Sequence, residues 1–244
     1  MKPIYRISIA GEEYPLEKHD IKLELYSPGR ALFIVESDHS LSGIVIFRAG
    51  YSPNTVNYFY GYVESCNQVN NKQQKLFCRE LTAVLNRHIP VGLRHPTLKN
   101  VLTEIASQTG LLFQTPDTEY SRTPVAHFYH SGGGYYAMDC IAAAFNVKKP
   151  IWQQQGDGRV FVGSWSDSDW ASKPSLQIPA KQLIKQASNS NGQLPMVPRL
   201  RPGAAADIAG QPVIITAVNL NGDQMMITWD KDPWSERLKR KGAA

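Results

Sequence analysis

Apolar and polar positions alternate in short runs over the first third of the chain, which is the signature of half-buried strands. Ile4-Tyr5-Arg6-Ile7-Ser8-Ile9 alternates loosely, and Gly11-Glu12-Glu13 offers a hairpin turn before Tyr14. Ile21-Lys22-Leu23-Glu24-Leu25 alternates with period two, and Ser27-Pro28-Gly29 reads as the break after it. Ala31-Leu32-Phe33-Ile34-Val35, Gly43-Ile44-Val45-Ile46-Phe47-Arg48 and the aromatic Tyr58-Phe59-Tyr60-Gly61-Tyr62-Val63 follow as strands, with Lys75 to Leu81 closing the section. Many short strands at regular spacing point to a small closed barrel or a sandwich.

The period changes in the middle. Leu98, Val101, Leu102 and Ile105 recur at helical spacing behind the cap Pro96-Thr97, and Gly110 stands where the helix should stop. Leu111-Leu112-Phe113 reads as a strand, and a second helix starts after Ser131-Gly132-Gly133-Gly134. Trp152, the Gly156-Asp157-Gly158 turn and Arg159 to Gly163 form a hairpin. The last third returns to strands at Gln211 to Val218 and Gln224 to Trp229, joined at Asn221-Gly222. Ser164 to Ser175 and Ala187 to Gly192 are polar and read as loops. The plan is β, then α/β, then β.

Composition narrows the class without naming a function. The 244 residues are 42% hydrophobic and 19% charged, which is globular. The net charge of +5 is partly concentrated in Arg237, Lys239, Arg240 and Lys241, a basic terminus that reads as solvated, with an acidic partner or nucleic acid as the alternative; elsewhere Lys and Arg are interleaved with Asp and Glu and form no long basic stripe. No apolar run near Met1 suits a signal peptide, and none is long enough to span a bilayer, so synthesis and folding in the cytoplasm are expected. Cys66, Cys78 and Cys140 are odd in number and scattered, which argues against a disulfide framework.

Candidate chemistry is sparse. His127 and His130 could ligate zinc from a helix, but Val125 to His130 reads as a strand, which sends the two rings to opposite faces. The Gly132-Gly133-Gly134 loop lacks the phosphate-binding fingerprints and reads as a capped turn. Cys140 lies among apolar neighbours, where a buried inert thiol is expected, and Asp157, Asp167 and Asp169 form no recognisable acid/base pair. No catalytic residue, metal ligand or cofactor is assigned. Two rival classes remain: a zinc-dependent or other hydrolase on a mixed α/β core, and a single-stranded nucleic-acid-binding barrel using Tyr58-Phe59-Tyr60.

Three separated stretches stand out in order. The first is Tyr60-Gly61-Tyr62-Val63-Glu64 followed by Cys78-Arg79-Glu80-Leu81-Thr82-Ala83-Val84-Leu85. The second is the helix from Thr97 to Ala106 with Thr109-Gly110-Leu111, continuing to Asp157-Gly158-Arg159-Val160-Phe161-Val162-Gly163. The third is Pro198-Arg199-Leu200-Arg201-Pro202-Gly203 followed by Met226-Ile227-Thr228-Trp229. Together they resemble the baseplate hub family of phage tails, the late-control proteins shared with phage-derived contractile injection machines.

The resemblance implies a mixed, mainly β (α+β) chain of two small β-barrel, tube-like domains flanking an inserted α/β domain. The expected boundaries are 1–87, 88–164 and 165–236, with a basic tail over 237–244. It implies a homotrimer whose six barrels make a pseudo-sixfold ring around a lumen that passes DNA. The ring would join the tail tube or distal tail protein to a spike, fibre or tail-tip protein, with a tape-measure terminus as a further partner. The chain would be a virion component, assembled in the host cytoplasm and without enzymatic activity. The four-cysteine iron–sulfur site of some shorter tail-tip relatives is not carried over, since only three cysteines are present.

Overall fold

The computed structural model describes residues 2–188 and 190–234; the basic tail 237–244 read from the sequence lies outside them. The chain is mainly β with a smaller helical share, in the order β1 (Ile4–Ile9), β2 (Glu12–Tyr14), β3 (Leu16–Glu24), β4 (Ser27–Glu36), β5 (Ile44–Tyr51), β6 (Asn54–Asn70), β7 (Gln73–Glu80) and β8 (Val91–Arg94). There follow α1 (Leu98–Thr109), β9 (Phe113–Gln114), α2 (Glu119–Arg122), β10 (His127–His130), α3 (Gly134–Ala144), β11 (Pro150–Gln154), β12 (Val160–Ser164) and α4 (Asp169–Ser172). The last elements are β13 (Leu176–Ile178), β14 (Lys185–Ser188), β15 (Asn191–Pro195), β16 (Ala205–Ile208), β17 (Gln211–Asn221) and β18 (Gln224–Asp230).

Two compact units result: residues 1–80 with 174–244, and residues 81–173. In the first, thirteen strands make one sheet whose main path runs β14-β15-β18-β17-β3-β4-β7-β6-β5-β1-β2, with β16 on β17 and β13 on β16. The join between early and late strands is β3 against β17, antiparallel, with Glu24 opposite Ala217 and Asp20 opposite Asn221. The period-two pattern explains the core: Ile21, Leu23, Phe33, Leu76, Val218 and Ile227 are all fully buried and belong to one hydrophobic cluster. Phe33, Phe47, Phe59 and Tyr58 form its aromatic centre, with ring centroids 5.4 to 6.5 Å apart. Met225 lies in this core, whereas Met226 on the opposite face is 40% exposed.

The second unit contains a two-stranded ribbon, β8 with β10, and a sheet ordered β11-β12-β9. Every residue of β11 and β12 is buried, which requires cover on both faces. Tyr135 of α3 stacks on Trp152, and Trp170 of α4 meets Phe161 edge-on from the other side of the hairpin. Helix α1 is as its spacing predicts: Leu98, Val101, Leu102 and Ile105 are its buried residues. Thr97 and Asn100 cap its start reciprocally, and Gly110 ends it in the left-handed conformation, φ 73°.

Several local readings change. Ser27-Pro28-Gly29 does not end a strand; the turn falls at Tyr26 (φ 59°), and β4 begins at Ser27. Of Leu111 to Phe113 only Phe113 is in a strand, as the first residue of the two-residue β9. Residues 164–175 are not a plain loop but hold a 3-10 turn, Trp165–Asp167, and α4. Ala187–Ser188 and Asn191–Gly192 belong to strands β14 and β15, because the pairing of β15 to β18 supplies backbone partners that a Ser/Asn composition does not advertise. Strand β8 and helix α2 carry no periodic signal and are found only in three dimensions.

The cap on α1 is open to a simple check. Thr97→Ala removes the hydroxyl that accepts the Asn100 N–H, 3.3 Å away, and should lower unfolding free energy by about 1 kcal/mol in urea titration.

Candidate functional site

The residues singled out for their resemblance to the tail-hub proteins fall into three places. The first is a buried node in the sheet unit. Gly61 of β6 lies opposite Glu80 at the end of β7, and a Cβ at Gly61 would collide with the Arg79 carbonyl oxygen. That contact leaves room for glycine alone. Glu80 is 1% exposed, and its Oε1 accepts from Arg201 Nη2 at 2.9 Å. Its Oε2 accepts from the Gly29 N–H at 2.7 Å. Arg201, also buried, donates from Nη1 to the Tyr58 carbonyl and lies over the Tyr58 ring, 5.9 Å from the centroid. Burial pushes the Glu80 carboxyl up, against the downward pull of Arg201 and the Gly29 N–H.

Pro202 and Gly203 continue directly from this pair. They occupy the middle of a turn closed by Ala204 N–H to Arg201 O, 3.2 Å, with Gly203 at φ 95°. Proline followed by a left-handed glycine is what a type II turn demands. Gly203 N–H then donates to Ile215 O, 2.8 Å, and Ile215 pairs with the buried Trp229 of β18. Tyr62 and Val63 are the next residues of β6, opposite Arg79 and Cys78. The first and third motifs, 121 positions apart at Glu80 and Arg201, therefore meet in one buried cluster.

The second place is in the other unit. Thr109 and Gly110 close α1, with Thr109 Oγ1 donating to Ile105 O at 2.7 Å. Asp157 accepts from the Arg159 backbone N–H (3.1 Å) and side chain (2.7 Å), and Gly158 takes φ 86° in the β11–β12 turn. Gly163 has no room for a Cβ, which would lie 2.8 Å from the Tyr120 hydroxyl and 2.9 Å from Pro116 Cδ. That hydroxyl accepts from Ser164 N–H and donates to Asp167. Leu81, the third place, starts the short 3-10 segment Leu81–Asn86 where the chain leaves the sheet unit.

None of this resembles a reaction centre. The node is enclosed, and each carboxylate oxygen of Glu80 already has a donor. His127 is exposed, while His130 is buried with Nε2 3.1 Å from Gly133 O, so the two rings diverge as the strand reading predicts. Among the described residues no group of three or more His, Cys, Asp or Glu could hold a metal. Cys140 is half-buried rather than fully buried.

Sequence reasoning missed a second tie in the sheet unit. His19 Nε2 and Tyr5 Oη both reach the Gly222 carbonyl, at 3.1 and 3.0 Å, from β3 and β1. The His19 ring is packed 4.4 Å from Tyr5 and 5.1 Å from Phe47. Burial holds its pKa below 6.5, with Gly222, Asp223 and Asp20 opposing. A histidine set among Glu17, Lys18 and Asp20 gives no sequence sign of this role.

No protein-family model matches the chain. It is 33% identical over 229 residues to an uncharacterized 58.7 kDa protein of Haemophilus phage HP1, the match covering 93% of this chain and 42% of that protein. The chain thus spans less than half the length of that relative. In three dimensions it is similar to the 43 kDa tail protein of prophage MuSo2 from Shewanella oneidensis, with TM-score 0.72, 9% identity, and 95% of this chain and 98% of that one covered. It is also similar to a tail protein from Neisseria meningitidis, with TM-score 0.67, 11% identity, and 95% and 97% covered. An Escherichia coli type VI secretion component, described as similar to the phage T4 tail proteins gp27 and gp5, gives TM-score 0.62 at 10% identity over 92% and 76%. The fold is that of phage tail proteins, in agreement with the resemblance read from the sequence. By sequence, the chain is similar to the HP1 phage protein over 93% of its own length.

Two outcomes test the ties. Removing one partner of the buried pair, by Glu80→Gln or Arg201→Met, should cost about 3–5 kcal/mol in denaturant unfolding, whereas Glu80→Leu combined with Arg201→Met should recover most of it. For His19 the folded state favours the neutral ring. Its contribution is therefore complete above pH 6.5 and is lost as pH falls from there through the depressed folded value. His19→Gln should flatten that part of the stability–pH curve.

Proposed function

We propose that this chain is a structural hub subunit in the tail of a phage or phage-like particle, acting by assembly and not by catalysis. The observation that carries this is the fold match to tail proteins over 95% of the chain. Three copies, each presenting two barrel-like lobes from the strands before and after the inserted unit, would form a ring with pseudo-sixfold symmetry. One face would stack on the tail tube or a distal tail protein, the other on a spike, fibre or tail-tip protein, with a tape-measure terminus reaching the lumen. DNA would pass through that lumen without being read. A subunit under such load benefits from strands tied by a shared core and buried polar contacts, which the Glu80–Arg201 node supplies.

The motif positions support this reading as scaffold residues: Gly61, Gly163 and Gly203 answer close approaches and a turn, while Glu80 joins the end of β7 to Arg201 in the turn before β16. Mass photometry of the purified chain, alone and with its tube and tip neighbours, should show trimers, and class averages should show threefold or sixfold symmetry. A strictly monomeric chain that also fails to bind those neighbours overturns the proposal.

A further inference from the structure

The β8–β10 ribbon of the inserted unit has one covered face and one bare face. Its ladder runs past the two strands, from the His88–Gly133 bridge and Ile89 N–H on Gly132 O (2.8 Å) to His95 N–H on Ala126 O (3.1 Å). Alternation puts Ile89, Val91, Phe128 and His130 on the buried face. The other face sets His88, Pro90, Gly92 and Arg94 beside His127 and Tyr129, and every one of these is exposed.

Tyr129 is 77% exposed, more than any other large hydrophobic side chain among the described residues. Its cross-strand partner is Gly92, where a Cβ would meet nothing within 4 Å, so the ring has open space on that flank. Arg94 lies opposite His127. Arg79, Arg122, Arg159 and Arg201 each have a carboxylate within 4.0 Å, whereas Arg94 has none among the described residues. The sequence supplies the reason: no Asp or Glu occurs from Leu81 to Thr103 or from Tyr120 to Met138. Glu104 of α1 reaches the ribbon only at Pro90, through Gln108 Nε2, which is 2.9 Å from both the Glu104 carboxylate and the Pro90 carbonyl.

The ring and the guanidinium together define the occupant. A carboxylate-bearing protein would satisfy Arg94 and leave Tyr129 with no flat group to meet. A membrane would need aliphatic side chains around the ring, and this face has none but Pro90. Unpaired nucleic acid brings both parts, phosphates for the cation and base planes for the ring. A duplex keeps its base faces stacked inside and offers chiefly its phosphates here. We infer that the outer face of the ribbon binds single-stranded nucleic acid without reading its sequence. One base stacks on Tyr129 in the space beside Gly92, Arg94 holds a phosphate, and ring N–H groups of His88 and His127 donate to the phosphates on either side. The Tyr58-Phe59-Tyr60 strand cannot serve this way, since Tyr58 and Phe59 are fully buried. This goes beyond the hub reading and does not rest on it.

Fluorescence anisotropy of the full chain with a short labelled oligothymidine, over a series of salt concentrations, tests the inference. The strand should bind at low salt, and more tightly than a duplex of the same length. Tyr129→Ala should weaken binding by about tenfold. Arg94→Gln should reduce the slope of log affinity against log salt by about 0.7, the loss of one phosphate contact. Both side chains are exposed, so each variant should melt where the wild type does. Absence of binding at low salt overturns the inference. So does binding that survives both substitutions, which places the strand elsewhere, the basic terminus included. Equal competition by polyglutamate overturns it in favour of an acidic protein partner. The hub reading stands or falls separately, on the oligomeric state.

Discussion

Two charges withdrawn from water do not stabilise a fold merely by meeting, since their desolvation offsets the attraction. The Arg201–Glu80 pair is useful for a different reason, which is that it has few ways to be satisfied. Glu80 needs the Gly29 N–H, Gly29 needs the absence of a side chain beside Leu23, and Arg201 needs the Tyr58 carbonyl. Four strands or turns from both segments of the sheet unit must be in register before any one of these groups is content. Misplaced strands would leave a buried charge alone, and that penalty selects one arrangement out of the many that a hydrophobic core of similar shape would tolerate.

Much of this fold was legible because strands with one buried face write themselves in period two, and α1 in period 3.6. Ile21, Leu23, Phe33 and Val35 are where alternation puts them. Elements whose partners are remote left no such trace. β15 depends on β18 and β14 on β15, and Ser/Asn residues without periodicity read as loop. Gly29 looked like a breaker because Ser-Pro-Gly usually is one; its role comes from Glu80, fifty-one positions away.

The motif positions show the same division. Gly110 and Gly158 are explained by local backbone geometry alone, and any reader of helix ends and hairpin turns could place them. Gly61, Gly163, Glu80 and Arg201 are explained only by what lies across from them. Their resemblance to tail-hub residues marked the positions, but their physical reason required coordinates. His19 and Tyr5, which converge on Gly222, had no motif to mark them at all.

The pairing of β3 with β17 also bears on how the chain is made. Glu24 lies opposite Ala217, so β3 leaves the ribosome long before its partner does. At about 5–20 residues per second, roughly 10–40 s separate the two. During that interval one edge of the alternating strand β3 has nothing to pair with, while β4, β7, β6 and β5 can already assemble on its other side. The nascent chain must therefore carry an unfinished sheet through the synthesis of the whole inserted unit. Crowded expression from many ribosomes at once would bring such edges together, and slower, cooler production would favour closure within one chain.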